Sequence, residues 1–541
     1  MLAKSFPADL VLVNGRIVTV DEGNSVTEAV AVRNGWIVKV GSTGEVEALV
    51  GPDTDVVDLE GRAVLPGFID SHVHVLGAGR LKVMEREYVD IKYADSVVEV
   101  LEKIGERAKV TPEGQWIIGW GYMWTRFKEK RVPTAKELDE VSPDNPVLLV
   151  FSAYGAANSY ALRLAGVTRD SKPEYGELEL DPETGEPTGV LKGGAAVRLV
   201  RNHVPPLEIT PYEASTLALG QFAKWGITTI HDAGTTRGGM IALQRLLREW
   251  DLTSRVRLYF NNIAPQLDTY KHVLALGLMK GFGDDMLKVS GIKFALDSMG
   301  TMGTAATYEP CTGNPGSLGI LLMEPETLKE YIVETHKAGL QSATHSIGDR
   351  AIDINMDAIE AALEEHPVED HRHRIEHCTH CGPKQLERLK KLGVVAAESN
   401  YVWNFGDAYK YQFGPERSRW LYPYWSFKEY GIVASSNSDY GGGPWHGNPI
   451  LGIYAMVTRR TEGGDTIGEN QAVNVMEAIR TYTINGAYAS FGEDKLGSIE
   501  EGKLADMIVL NEDITSIDAD RIKDVFVLKT ILGGKTVYEK E

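Results

Sequence analysis

The sequence is poor in cysteine, in long apolar stretches and in positive charge. Only three of its 541 residues are cysteine, which fits a reducing compartment. Cys378 and Cys381 form a C-x-x-C pair without a second pair to complete a zinc knuckle, so we expect thiols placed by packing. No apolar stretch approaches the roughly 18–20 residues that span a bilayer. The beginning of the chain lacks a secretion-signal pattern, so we expect a cytoplasmic protein.

Positive charge is scarce, with 56 Lys and Arg against 76 Asp and Glu and a formal net charge of −20. Such a chain repels phosphate backbones and anionic membrane surfaces, so we expect neither a nucleic-acid nor a membrane partner. No G-x-G-x-x-G follows a predicted strand, which argues against a dinucleotide-binding sheet. The length exceeds that of one typical domain, which favours a large catalytic domain with a smaller one.

The middle of the chain alternates short apolar strands with helical patterns. The predicted strands lie near residues 64–74, 226–232, 255–262, 289–296, 341–345, 372–377, 393–398 and 431–437. Repeated strand–helix units with apolar strands indicate a parallel sheet, and this number matches an α/β fold with a closed (β/α)8 barrel of the TIM type. An open doubly wound sheet is the alternative.

The two ends of the chain have the same sequence pattern, in which short predicted strands alternate with turn residues. These strands are predicted at residues 15–20, 35–40, 506–510 and 530–538. We therefore predict a composite β-sandwich domain from residues 1–62 and 490–541, around a barrel domain at 63–489. The long segment of about 77–210 after the first barrel strand is predicted to be an inserted subdomain at the barrel mouth.

Polar side chains with metal-binding chemistry lie where predicted barrel strands end, which is where such barrels place reactive groups. His72 and His74 are two residues apart on an extended strand, so they face the same side and can share one metal ion. The other candidates, each on its own strand, are Lys293, His345, His377 and Asp439. One site explains these coincidences better than separate structural roles.

Lys293 is the most unusual candidate, because it lies between Ile292 and Phe294 in an apolar strand. Lysine is almost never buried without a partner, and a buried amine tends to lose its proton and become nucleophilic. A neutral amine of this kind can take up carbon dioxide to give a carbamate, whose two oxygens can bridge two metal ions.

Other residues have weaker signals. His371 and His373 repeat the H-x-H spacing at the start of a strand, away from the mouth, which favours a structural or solvated role. His231 ends a strand and is a candidate pocket residue, and Tyr154 and Trp124 are weak candidates for substrate binding. Arginines that could meet an anionic substrate at the mouth are Arg126, Arg350 and Arg459, although surface solvation is the simpler interpretation of each.

Four segments resemble the amidohydrolase superfamily, and in particular its family-3 branch, which includes N-substituted formamide deformylases. They are residues 67–74, 345–351, 372–377 and 502–506. The resemblance implies a metal-bearing barrel with a composite β-sandwich. It also implies an α metal held by His72, His74 and Asp439. A β metal would be held by His345 and His377, and a carbamylated Lys293 would bridge the two ions.

Three positions depart from that branch. Ser298 stands where glycine is usual after Asp297, Tyr154 stands where histidine is frequent, and Gly193 stands where glutamate is common. All three are expected near the mouth, so the substrate preference of the branch cannot be transferred to this chain.

We predict a metal-dependent hydrolase that cleaves a C–N bond in an amide, N-acyl or formamide-type small molecule. One or two divalent ions, zinc in the first place, would generate hydroxide, and Asp439 would shuttle the proton to the leaving nitrogen. The alternative is an aromatic or heterocyclic deaminase on the same barrel. Such enzymes carry a glutamate three residues after the third histidine ligand, a position that is Gly348 here. A non-catalytic binding barrel is disfavoured because all candidate ligands are present, and a homodimer is a prior expectation only.

Overall fold

The computed structural model describes residues 7–121, 124, 127–151, 154–174, 176–264, 267–444 and 446–541. The chain divides into two compact units, one formed by Met1–Gly79 with Pro211–Glu541 and the other by Arg80–Thr210. Within the described residues, no helix combines the length and apolarity that crossing a bilayer requires.

The described strands and helices follow one another in the following order. The strands are β1 (Leu10–Val13), β2 (Arg16–Val18), β3 (Val26–Thr27), β4 (Ala29–Arg33), β5 (Trp36–Gly41), β6 (Asp55–Asp58), β7 (Ala63–Pro66), β8 (Phe68–Val73), β9 (Val89–Asp90), β10 (Ile117–Trp120), β11 (Val147–Phe151), β12 (Tyr154–Ala157), β13 (Glu177–Leu180), β14 (Pro187–Lys192), β15 (Ile227–Thr235), β16 (Arg255–Asn261), β17 (Leu287–Ala295), β18 (Gln341–Ser346), β19 (Arg374–His377), β20 (Val395–Ser399), β21 (Ala434–Asn437), β22 (Met507–Leu510), β23 (Val527–Leu532) and β24 (Lys535–Glu539). The α-helices are α1 (Thr43–Glu47), α2 (Val75–Glu87), α3 (Val97–Ala108), α4 (Ala135–Val141), α5 (Ser159–Leu164), α6 (Gly194–Arg201), α7 (Pro211–Lys224), α8 (Arg237–Glu249), α9 (Thr269–Ala275), α10 (Pro325–Lys337), α11 (Asp349–Glu365), α12 (Pro383–Leu392), α13 (Tyr401–Ser418), α14 (Tyr424–Tyr430), α15 (Pro449–Thr458), α16 (Val475–Thr481) and α17 (Ile484–Tyr488).

Eight parallel strands form the barrel, in the spatial order β8, β15, β16, β17, β18, β19, β20 and β21. The gap between the first and last strands is bridged by hydrogen bonds. Ser71 Oγ donates to the Ser436 carbonyl at 2.9 Å, and the Ser438 amide donates to Asp70 Oδ1 at 3.1 Å. The prediction of a (β/α)8 barrel is confirmed, and each predicted strand overlaps an observed one.

The prediction of a single strand near residues 64–74 is wrong in one respect. The segment forms two strands, because β7 pairs with β2 and β22 in a separate sheet whereas β8 pairs with β15 in the barrel. The chain passes from one sheet to the other at Gly67. A Cβ at this position would lie 2.1 Å from Thr228 Oγ1, so the close approach of the two segments requires glycine.

Both ends of the chain build the sheets outside the barrel. One sheet has the order β5, β4, β1 and β6, and the other has the order β24, β23, β22, β7, β2 and β3. Buried side chains from both ends share one core, including Leu12, Ile37, Met507 and Ile531. The composite β-sandwich of the predicted fold is therefore present. The predicted domain bounds stay a prediction, since sandwich and barrel belong to the same compact unit.

The unit Arg80–Thr210 has its own sheet, with strands in the order β13, β14, β12, β11, β10 and β9. Trp120 is buried within it, and Trp116 and Trp124 are partly buried. Tyr122, another aromatic residue of this segment, lies outside the described residues. The position of the inserted segment over the barrel mouth stays a prediction.

We expect Gly67→Ala to lower the thermal midpoint of unfolding, because the added methyl group overlaps Thr228 and overpacking of this kind costs about 1–3 kcal/mol. Gly44→Ala is the matched control, since a Cβ there has no atom within 4 Å and alanine favours the helix α1. Thermal melts followed by circular dichroism compare the two variants. A melting temperature of Gly67→Ala equal to that of Gly44→Ala would contradict the steric argument.

Candidate metal centre

Because the barrel strands run parallel, their carboxyl ends meet at one rim, which we call the carboxyl rim. The six side chains predicted as metal ligands come from five of these strands or from the residues that follow them. They are His72 and His74 at β8, Lys293 on β17, His345 on β18, His377 on β19 and Asp439 beyond β21. The ring centroids of His72 and His377 are 4.9 Å apart, and those of His345 and His377 are 4.4 Å apart.

His72, His74 and Asp439 form the tightest part of this cluster. His72 Nε2 lies 3.4 Å from both His74 Nε2 and Asp439 Oδ1, and His74 Nε2 lies 3.1 Å from the same oxygen. The buried Asp439 Oδ1 nevertheless has no hydrogen-bond partner among the described residues. Donor atoms around a tetrahedral zinc ion, at bond lengths of about 2.0–2.1 Å, lie about 3.3 Å from one another. The three atoms therefore fit a divalent ion better than a hydrogen-bonded network.

The charge state of these groups also suits metal binding. Burial, and next the nearby Lys293 charge, lower the pKa of His72 to about 4, so its imidazole is neutral at pH 7. Burial alone would raise the pKa of Asp439, but His74 and His72 beside it hold that pKa below its usual range. Neutral imidazoles and an ionised carboxylate are the forms that ligate metal ions.

Lys293 and His345 lie beside the triad. Lys293 is 3% exposed, its Nζ lies 3.3 Å from His72 Nε2, and burial lowers its pKa to about 8. Burial lowers the pKa of His345 to about 3, and its Nε2 atom has no hydrogen-bond partner within the part of the chain that is described. His345 Nε2 lies 3.6 Å from Asp297 Oδ1, beyond hydrogen-bond distance. A buried imidazole nitrogen without a hydrogen bond is costly unless it meets a further ligand.

His72 is held by a buried ion pair. Its Nδ1 lies 2.5 Å from Glu376 Oε2, and Arg374 donates from Nε and Nη2 to the two oxygens of Glu376 at 2.7 and 2.9 Å. Burial alone would raise the pKa of Glu376, but Arg374 and His72 keep it below the usual range. The carboxylate is therefore ionised and accepts the Nδ1 proton of His72, which leaves the Nε2 lone pair facing Asp439.

His377 is oriented by a hydroxyl relay. Its Nδ1 lies 2.6 Å from Ser399 Oγ, and this hydroxyl donates to Asn437 Oδ1 at 2.6 Å. Since the hydroxyl proton goes to Asn437, Ser399 accepts the proton of His377 Nδ1. The lone pair of His377 is thus on Nε2, as it is for His72.

Tyr401 supports Asp439 from the other side. The Tyr401 hydroxyl donates to Asp439 Oδ2 at 2.6 Å, and the Asp439 amide donates to the His72 carbonyl at 2.9 Å. Asp439 adopts φ of +50°, a strained conformation for a non-glycine residue. These contacts direct Oδ1 toward the two histidines of the triad.

The weaker substrate-site candidates lie in different surroundings. His231 is fully buried and its Nδ1 accepts from Arg374 Nη1 at 2.8 Å, so it packs beside the ion pair that holds His72. Trp124 and Tyr154 belong to the unit Arg80–Thr210, where their rings stack with centroids 5.4 Å apart. Gly193 has φ of +100°, a conformation that favours glycine over the glutamate of the related branch.

The remaining histidine and cysteine candidates are structural. His373 Nε2 lies 2.9 Å from His336 Nδ1, and His371 Nε2 donates to the Leu392 carbonyl at 2.8 Å. Both histidines are buried, which agrees with the structural role expected from the sequence and excludes the solvated one. Cys378 and Cys381 are free and buried.

The three arginines proposed for the barrel mouth have different surroundings. The expectation of surface solvation is wrong for Arg459, which is fully buried and donates to the carbonyls of Leu421, Tyr422 and Ile467. Arg350 donates to the Leu318 carbonyl at 3.2 Å. Arg126 lies outside the described residues.

Arg374, Glu376 and Tyr401 support the candidate metal centre, but their roles were not predicted from the sequence. The sequence does contain a signal for Arg374 and Glu376. Two residues of opposite charge that are two positions apart on a buried strand face the same side, so they can form an ion pair. Tyr401 lies in a helix that follows β20, and no spacing in the sequence connects it with Asp439.

A (β/α)8 barrel with neutral histidines, an ionised aspartate and a buried lysine at its carboxyl rim has the donor set of a metal-dependent barrel enzyme. The profile of the amidohydrolase family matches residues 55–538, and the chain belongs to this family. The protein is therefore a hydrolase.

Individual relatives agree with this assignment. The chain is 31% identical over 550 positions to Protein LONG AFTER FAR-RED 3 of Arabidopsis thaliana, covering 98% of this chain and 92% of the relative. It is 29% identical over 550 positions to an N-substituted formamide deformylase of Arthrobacter pascens, covering 98% of both. A crystal structure of an uncharacterized metal-dependent hydrolase from Pyrococcus horikoshii has the same fold, with a TM-score of 0.72, 24% identity, and coverage of 94% of this chain and 99% of that one.

We expect Glu376→Gln to weaken zinc binding about 10–100-fold, because partners that orient a ligating histidine contribute on this scale. Competition with a chromophoric chelator measures the affinity. Glu398→Gln is the matched control, since Glu398 is also a fully buried glutamate of the barrel, on the next strand, and its carboxylate oxygens have no hydrogen-bond partner among the described residues. Equal zinc affinities for both variants, with unchanged circular dichroism, would contradict the role of Glu376.

Proposed function

We propose that the protein is a metal-dependent hydrolase that cleaves a C–N bond of an amide, N-acyl or formamide-type small molecule. The observation that carries this proposal is the geometry of three donor atoms. Those of His72, His74 and Asp439 lie 3.1–3.4 Å from one another, and no hydrogen bond joins His74 to Asp439 Oδ1. Membership of the amidohydrolase family supports hydrolysis as the chemistry. Zinc is the proposed ion, because nitrogen ligands with one carboxylate suit it.

The proposed ligand set has two halves. His72, His74 and Asp439 would hold one ion, and His345 with His377 would hold a second, with Lys293 between them. A bound divalent ion would supply Lewis acidity, which lowers the pKa of a water molecule and polarises a carbonyl group. Two observations support the second half. His345 Nε2 makes no hydrogen bond within the described residues, and the hydroxyl relay leaves the His377 Nε2 lone pair free.

Lys293 is proposed to carry a carbamate. With its pKa lowered to about 8, about a tenth of the amine is neutral at pH 7 and can attack carbon dioxide. A bond forms between Nζ and the carbon of carbon dioxide, and a proton leaves the nitrogen, so the product is an anionic carbamate. The resulting anion would offset part of the positive charge of the bound ions.

Asp439 is proposed to move the proton. Oδ1 faces the two histidines and Tyr401 donates to Oδ2, which leaves the carboxylate with further lone pairs that could accept a proton from the attacking water. The carboxyl group would then give this proton to the leaving nitrogen, which needs it to depart as an amine. Tyr401 would keep the carboxylate in the orientation that serves both steps.

The formamide-type substrate class rests on similarity. The relative from Arthrobacter pascens is named for deformylation of N-substituted formamides, and it aligns with 98% of this chain. The substitutions at the mouth leave the acyl and amine halves of the substrate open. The cytoplasmic location and the homodimer stay predictions.

The deaminase alternative lacks its acid–base residue. A Cβ at Gly348 would lie 1.9 Å from the Ala306 carbonyl oxygen, so no glutamate side chain fits three residues after His345. The Gly348 amide is instead bound to Asp297 Oδ2 at 3.0 Å. Hydrolysis of an acyl C–N bond therefore fits the rim better than hydrolytic deamination of a heterocycle.

We expect the zinc-loaded enzyme to release formate or another carboxylate, with the free amine, from a panel of N-substituted formamides, N-acyl amino acids and aryl amides. Asp439→Asn is expected to lower kcat by about 10³-fold, because it removes the proton acceptor at nearly constant shape. Product analysis by NMR separates carboxylate and amine from the ammonia that aminated heterocycles would release.

The matched control for that experiment is Asp232→Asn. Asp232 is another buried aspartate at the carboxyl rim, whose Oδ1 accepts from the Val75 amide and whose Oδ2 accepts from the Thr235 hydroxyl. Asparagine can keep both contacts, because its Oδ1 accepts from the Val75 amide and its Nδ2 can donate to the Thr235 hydroxyl oxygen. We expect this variant to keep most of the activity. Near-full activity of Asp439→Asn, or ammonia release as the dominant reaction, would contradict the proposal.

We expect ¹³C-labelled bicarbonate to produce a carbamate signal in the ¹³C NMR spectrum of the zinc-loaded enzyme. Lys293→Gln should abolish the signal. Lys288→Gln should keep it, although Lys288 is on the same strand and burial also lowers its pKa to about 8, because it lies away from the cluster. Loss of the signal in Lys288→Gln, or its persistence in Lys293→Gln, would contradict the assignment.

A further inference from the structure

The unit Arg80–Thr210 contains a groove of about 460 Å³ that none of the preceding chemistry uses. We call it the arginine-rimmed groove. Its floor consists of Ile118, Trp120, Leu148 and Val150, and its walls come from α2, from α6 and from the segment 204–207. A volume of this size is within the range of about 300–1,000 Å³ that is usual for small-molecule sites.

The floor is apolar because of strand pairing. β10 and β11 are parallel neighbours in which Ile118 pairs with Leu148 and Trp120 with Val150. These four side chains lie on one face of the sheet, since positions two apart on a strand face the same side. The opposite face packs into a separate core through Ile117, Val147 and Leu149.

The two helical walls place arginines above this floor. Arg80 and Met84 on α2, and Tyr88 directly after it, follow a four-residue spacing, so they line the same side of the groove. On α6, Arg198 and Arg201 lie three residues apart on the facing wall. Arg198 is engaged by Glu174 at 3.6 Å. No hydrogen bond or ion pair joins Arg80 or Arg201 to another residue of the described ranges, and both are exposed.

The charge of the groove is opposite to that of the protein as a whole. The whole chain has 76 Asp and Glu residues against 56 Lys and Arg residues. Among the described residues, in contrast, the groove is lined by three arginines and by no aspartate or glutamate. The fields of Arg80 and Arg201 both reach Tyr88, whose pKa is raised by burial and partly lowered again by these two cations. Two cations that line a groove with an apolar floor are complementary to a ligand with one anionic end and one hydrocarbon end.

Trp120 supplies a further polar group. It is 5% exposed, lines the floor, and its indole Nε1 is buried without a hydrogen-bond partner among the described residues. A buried indole N–H usually finds an acceptor, because leaving it unpaired costs free energy.

We propose that the arginine-rimmed groove binds a free aliphatic carboxylate, with the head group held by Arg80 and Arg201 and the hydrocarbon chain on Ile118, Trp120, Leu148 and Val150. Arginine binds a carboxylate through two parallel N–H groups, which favours a carboxylate over a neutral polar head. The proposal is independent of the hydrolytic reaction, because none of the six proposed metal ligands lines the groove.

The test uses isothermal titration calorimetry of the full chain, freed of metal with a chelator, with decanoate as the ligand. Metal removal prevents the carboxylate from reporting on the centre at the carboxyl rim. We expect one decanoate per chain and binding of decanol and decylammonium at least tenfold weaker, since they keep the tail and change the head. Arg80→Gln and Arg201→Gln should each weaken decanoate binding about tenfold, and Ile118→Asp should abolish it.

Arg163→Gln is the matched control. Arg163 is a partly exposed arginine in α5 of the same unit, stacked over Tyr160 and outside the groove. The Arg163→Gln variant should bind decanoate with the affinity of the unchanged protein. All variants should keep the native circular dichroism spectrum. This comparison separates the placement of the two cations in the groove from a general loss of positive charge.

Three outcomes would overturn the proposal. Equal affinity for decanoate and decanol would show that the arginines do not select the head group. Unchanged decanoate binding in both groove arginine variants would place the ligand elsewhere. Sedimentation that shows Arg201→Gln and Ile118→Asp to dissociate an oligomer, without saturable decanoate binding, would assign the groove to a second copy of the chain.

Discussion

The centre of the barrel depends on a fully buried ion pair between Arg374 and Glu376. Taking both charges out of water costs several kcal/mol for each ion, and only a complete set of partners offsets this cost. Arg374 has that set, because besides both oxygens of Glu376 it donates to the Ser71 carbonyl, to the Tyr259 hydroxyl and to His231 Nδ1. The pair is therefore tied to strands on opposite sides of the barrel.

This ion pair determines the geometry of the candidate metal centre. Glu376 accepts the Nδ1 proton of His72, so the Nε2 lone pair of His72 points to the place where His74 and Asp439 converge. A neutral residue in place of Glu376 would leave the tautomer of His72 free. Burial keeps His72, His345 and His377 neutral, and Asp439, the carboxylate that faces His72 and His74, stays ionised. The rim thus combines several lone pairs with one negative charge in a small volume.

Much of the fold could be predicted from the sequence. Apolar strands at regular spacing specify a parallel barrel, and the meeting of parallel strand ends then brings His72, His345 and His377 together without further information. The passage between two sheets at Gly67 could not be predicted, because Phe68 continues the apolar run of Val64 and only the packing against Thr228 reveals the break. Pattern alone does not distinguish one long buried strand from two short ones.

The supporting residues of the site were harder to predict than its ligands. Arg374 and Glu376 compensate each other inside the barrel, whereas charge in a sequence usually indicates a solvated face. Tyr401 reaches Asp439 from a helix 38 residues earlier in the chain, and such a contact exists only after folding. The same reason applies to Arg459, whose guanidinium is enclosed by three carbonyl groups that no local pattern connects with it.

The most direct test of the central claim is an anomalous-difference map at the zinc absorption edge from crystals of the zinc-loaded protein. The account predicts a peak within about 2.0–2.2 Å of His72 Nε2, His74 Nε2 and Asp439 Oδ1, with His72 Nδ1 still bound to Glu376. A map with no peak between these three atoms, while they keep the contacts seen here, would contradict it.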